Sequence, residues 1–110
     1  MTHRTLHELD DAHADQRTRA RLRIDLAEQY VHDYRSRVRD VQERFHELAA
    51  RDGVGDDTGF REELRRTSVI VDEKVARAGR QIAELEDEYD QLLRAQTDER
   101  ESFLARSAAD

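Results

Sequence analysis

The sequence has no cysteine, no proline and no tryptophan, and only 5% of its residues are aromatic. Without cysteine no disulfide framework can form, and the redox compartment is left open. The scarcity of aromatics argues against a compact globule, since a domain of 110 residues ordinarily carries more aromatic and branched apolar mass. No apolar run approaches the ~20 residues needed to span a bilayer, so membrane insertion is not expected. The first residues, MTHRTLHELDDAHADQ, hold no apolar stretch of the signal-peptide kind, and the expectation is a cytoplasmic protein. Excess positive charge is missing too. The net charge is −7, which disfavours nucleic acid as the main partner because phosphate binding needs a positive surface.

What is abundant is charge and helix-forming residues. Charged side chains make up 41% of the chain, and Ala, Glu, Leu, Arg and Gln all favour helix. From Ile24 the apolar residues Ala27, Val31, Tyr34, Val38, Val41, Phe45 and Leu48 recur in alternating steps of three and four. From Leu64 the second half repeats the pattern through Val71, Val75, Ala78, Ile82, Leu85, Tyr89 and Leu92, interrupted by Ser68 alone. A repeat of about 3.5 residues keeps one stripe facing a partner helix, so it predicts a coiled coil and excludes disorder.

Three of the four glycines fall in LAARDGVGDDTGF, residues 48–60, between the two seams. Gly53 can take the left-handed conformation that closes a helix. Asp57 or Thr58 can cap the next helix by accepting bonds from its free amides, and Glu62 and Glu63 are expected to complement the dipole there. Thr5 to Glu8 fits a capping box for the first helix. The prediction is a single all-α domain over 1–110, an antiparallel two-helix coiled-coil hairpin with helix 1 at about 5–51, a turn at about 52–57 and helix 2 at about 58–106.

Folding at that turn sets Phe45 against Leu64, Val38 against Val71, Val31 against Ala78, Ala27 against Ile82 and Ala20 against Tyr89, so that large residues often meet small ones. Arg17, Arg19, Arg21 and Arg23 come level with Glu86, Asp87, Glu88 and Asp90. The open end is expected to be the weakest part. There His13 meets Gln96, Asp10 meets Glu99, and Leu6 opposite Phe103 is the one apolar layer.

Several residues invite a chemical reading. Asp52, Asp56 and Glu63 fit positions 1, 5 and 12 of an EF-hand frame, but Val54 stands at position 3 and Asp57 where glycine is needed, so solvated turn acids are expected. His3 and His7 share a helical face with His13 near, yet no acidic residue follows His3 and no third ligand is evident; surface histidines near a fraying terminus are expected. The basic run RTRARLR, residues 17–23, is read as the complement of the acidic strip on helix 2. No Ser–His–Asp, Cys–His or glycine-rich phosphate pattern is present, and carboxylate pairs on solvated helix faces carry no catalytic information. No enzyme, cofactor or metal is therefore expected. A different feature stands out. Leu22, Leu26 and Tyr30 form a second apolar stripe off the seam of helix 1, and Val69 and Ile70 point away on helix 2. These five residues are the candidate partner-binding surface, since a two-helix hairpin buries only one stripe per helix.

Two long helices around a short central glycine-bearing turn resemble the WXG100 class of small type VII secretion proteins. Gly53-Val54-Gly55 stands where that class has a Trp-x-Gly turn, and Leu93 follows Tyr89 where its export motif has an acid. The chain is also similar to the helical companion proteins of LXG toxins, with Leu6-His7-Glu8-Leu9, Phe45-His46-Glu47-Leu48 and Leu85-Glu86-Asp87-Glu88-Tyr89 in comparable places. That resemblance implies a chaperone or targeting factor packed beside a toxin's N-terminal helical domain, exported with it or left behind, and it carries over no catalytic residue. Two functions follow as expectations: a helical adaptor for another helical protein, or a structural coiled coil that self-associates into a four-helix bundle of two hairpins.

Overall fold

The computed structural model describes residues 5–109, and the chain is an all-α antiparallel hairpin of two helices, α1 (Leu6–Asp52) and α2 (Thr58–Ala109). His3 of the two-histidine reading lies outside the described residues. Among the described residues no helix is long and apolar enough to cross a membrane.

Local chemistry explains three of the four helix ends. The Glu8 amide donates to Thr5 Oγ1 at 3.1 Å and the Leu9 amide to the Thr5 carbonyl at 3.1 Å, the expected cap of α1. At the other end Gly53 has φ of 73°, and the Val54 amide donates to the Ala49 carbonyl at 3.0 Å. This six-to-one bond is the Schellman closure that a left-handed residue makes possible. Asp57 then caps α2: its Oδ1 accepts from the Phe60 amide at 3.0 Å, and its carbonyl from the Arg61 amide at 3.1 Å. Arg61 ties the turn by donating to Asp56 Oδ1 at 2.7 Å and to the Gly55 carbonyl at 3.3 Å.

One capping expectation is corrected. The first turn of α2 holds no acidic residue. Glu62 and Glu63 sit a turn too far along, where the field of the helix end has faded, and they pair instead with Arg65 and Arg66.

The chain divides into two compact units, one joining α1 up to Leu26 with α2 from Ile82, the other spanning Ala27–Gln81. In the first unit Ile24 and Leu9 are each only 1% exposed, and Phe103 is buried with them. Burying such a side chain contributes about 1.5–3 kcal/mol. Here too the structure departs from the expected weak end. Leu9 lies off the heptad seam, and His13, expected at the surface, is 3% exposed.

His13 belongs to a polar layer that satisfies itself. Gln96 is buried, and its Nε2 donates to the His13 carbonyl at 3.0 Å and to Gln16 Oε1 at 2.9 Å. Arg17 Nη1 donates to Gln96 Oε1 at 2.9 Å, and the His13 Nε2–H donates to Glu99 Oε2 at 3.2 Å. Among the described residues no buried side-chain nitrogen or oxygen lacks a partner. Of the four arginines expected to meet the acidic strip, Arg23 reaches Glu88 at 3.6 Å, while Arg21 turns to Asp25 on its own helix and Arg17 is taken up by Gln96.

In the second unit α2 keeps its heptad seam, with Leu64, Ser68, Val71, Val75 and Ala78 half-buried, and the contact line leaves the seam on α1 alone, beyond Val38. Ala49 is buried and Val31, Val38 and Gln42 are half-buried. Val38 and Gln42 lie within about 20° on either side of the line through Val31 and Ala49, which are five full turns of a 3.6-residue helix apart. Val41 and Leu48, at the second position of the 3–4 repeat, fall roughly 80–100° from that line: that position already lies about 60° from Val31, and the drift of about 20° per heptad adds to it. Val41, Phe45 and Leu48 are accordingly about half exposed, Phe45 at 51%.

Candidate functional site

The side chains that leave the contact line do not scatter. In the second unit α1 and α2 flank an open apolar groove of about 610 Å³, whose walls include Tyr34, Val38, Val41, Phe45, Leu64 and Ile70. Phe45 with Leu64 and Val38 with Val71 thus meet as the hairpin pairing predicts, but as groove walls. Phe60, the third residue of α2, adds an aromatic at the turn end, placed there by the Asp57 cap. A second recess of about 260 Å³ shares Tyr34 as a wall and extends along α1 to Tyr30 and Val31 and along α2 to Gln81.

The five residues singled out from the sequence separate. Ile70, about half exposed, lines the groove, and Tyr30, 63% exposed, lines the adjoining recess. Val69 is about half exposed and lines neither. Leu22 and Leu26 are exposed on α1 within the first unit. The residues that sequence reasoning missed are Val41, Phe45 and Leu48, which had been assigned to the closed seam. The apolar spacing carries no signal for this, since the same 3.5-residue repeat stays half-buried in α2 at Leu64, Val71, Val75 and Ala78.

Charge around the groove is uneven. Arg37 lines the groove, and Lys74 and Arg77 line the recess, with no ion pair to any of the three among the described residues. The one acid in either lining, Glu63, is paired with Arg66 at 3.3 Å.

The other candidate sites show different uses for their side chains. Asp56 is held by Arg61, Glu63 by Arg66, and His7 by Asp11 at 3.3 Å. Among the described residues no group of three or more His, Asp or Glu is placed to hold a metal ion. The groove's walls are mostly apolar, with Arg37, Gln42, Glu63 and Thr67 among them, so it can bind an apolar surface.

No family model, curated protein or solved structure matches the chain.

Proposed function

We propose that this protein is a non-enzymatic helical adaptor that packs against a helical partner. The observation that supports this is the half-exposed state of Val41, Phe45 and Ile70 in the walls of an open apolar groove. Uncovered apolar surface of that kind is costly in water and is characteristic of interaction sites. Its shape, a trough between two helices, suits the apolar face of another helix. The resemblance to LXG companion proteins supplies the partner class: the N-terminal helical domain of a type VII toxin, with the adaptor acting as chaperone and targeting factor in the cytoplasm and leaving with its cargo through a signal-peptide-independent route.

Light scattering behind size exclusion, over a concentration series, tests the reading. The adaptor predicts a concentration-independent monomer near the chain mass of 12.9 kDa. A stable dimer would instead assign the apolar surface to self-association. Co-expression with an LXG toxin's N-terminal domain tests the partner. The expected result is a 1:1 complex weakened by Leu22→Ala, Leu26→Ala and Tyr30→Ala together, and undiminished affinity in that variant removes those three from the interface.

A further inference from the structure

We propose that the groove of the second unit docks an amphipathic helix with acidic flanks, contributed by a different protein; this deepens the adaptor reading and rests on it. The apolar walls define the face of the occupant. Along α1 the groove and recess run from Tyr30 to Phe45, roughly 22 Å at the helical rise, which accommodates about four turns of a third helix. That helix would bury Val41, Phe45 and Ile70, all about half exposed in the chain alone.

The flanks of the occupant follow from charge. The unpaired ions on this surface are Arg37, Lys74 and Arg77, while the only acid, Glu63, is neutralised by Arg66. A protein of net charge −7 thus places free cations along this groove and the recess that adjoins it. Carboxylates flanking a helix's apolar stripe would lie against them, a complementarity that sets orientation and discriminates between partners. A second copy of the chain is the poorer occupant. Groove laid on groove by a two-fold axis presents the same three cations to themselves.

The probes are two synthetic peptides of about 18 residues with one Leu/Ile stripe in common, flanked by Glu in one and by Lys in the other. Fluorescence anisotropy with the full chain reads their binding. The Glu peptide is expected to bind at least ten-fold tighter, with the advantage shrinking at high salt as screening requires. The exposed-site variant Arg37→Glu/Lys74→Glu should reverse the order of the peptides, and Ile70→Glu should abolish binding of both while the circular dichroism spectrum stays helical. Equal binding, preference for the Lys peptide, or no binding of either overturns the proposal, and so does capture of phosphatidylserine vesicles by the same residues in place of the peptide. Light scattering keeps the two levels apart. A monomer that ignores both peptides overturns the docking proposal and leaves the adaptor; a stable dimer overturns the adaptor itself, and it overturns the docking proposal with it when Ile70→Glu splits the dimer.

Discussion

The side-chain amide of Gln96 donates a 3.0 Å hydrogen bond to the backbone carbonyl of His13, 83 residues away in the chain, and both residues are buried. The bond is one of three made by the Gln96 amide, which use both of its N–H donors and one lone pair of its oxygen, the others running to Gln16 and from Arg17. A buried polar group is tolerated between helices when every donor and acceptor is matched, and it then disfavours any alignment that breaks the match.

Truncating this amide has a direct consequence. Gln96→Ala removes three hydrogen bonds and is expected to lower stability by about 1–3 kcal/mol, read from urea unfolding followed at 222 nm. The double variant His13→Leu/Gln96→Leu replaces the polar layer with apolar contact, and its urea midpoint should rise above that of Gln96→Ala. A midpoint unchanged in Gln96→Ala would mean that water replaces the network without cost.

Burial also separates two residues that the heptad pattern treats alike. Ile24 is 1% exposed whereas Leu48 is half exposed. Ile24→Ala is expected to cost about 2–5 kcal/mol, as for a closed core site. Leu48→Ala is expected to cost less than half as much, since about half of its side chain is already in water. Equal losses in thermal or urea unfolding would place Leu48 in a closed seam after all.

At the turn, two substitutions probe two different bonds. Gly53→Ala forces a β-carbon into the left-handed region, where φ is 73°, and should cost about 1–2 kcal/mol although nothing lies within 4 Å to clash with it. Asp57→Ala deletes the acceptor of the Phe60 amide and should cost about 1 kcal/mol. If Gly53→Asn recovers most of the Gly53→Ala loss, backbone conformation is the cause.

Hydrogen exchange tests the open end. The polar layer and the burial of Leu9 and Phe103 predict that amides around His13 exchange at least as slowly as those around Val41. Faster exchange near His13 would restore the frayed terminus that the heptad pattern suggests.

Much of the fold was legible in local chemistry. Thr5, Gly53 and Asp57 do at the helix ends what their side chains or, for glycine, the lack of one dictate, and the helix bounds follow from them. The candidate surface was only partly readable. Tyr30 and Ile70 announced themselves by standing off the seam, while Val41, Phe45 and Leu48 were hidden within it.

The sequence by itself determined that two helices form, where they end and which stripe of each seeks the other, because propensity, caps and apolar spacing act over a few residues. Tertiary structure decided which members of that stripe meet. In the second unit α2 keeps its seam, while beyond Val38 α1 turns Gln42 and Ala49 inward and leaves Val41 and Phe45 as walls of an open groove. In the first unit it decided that His13 and Gln96 could be buried at all, since each is satisfied only by groups the other helix supplies.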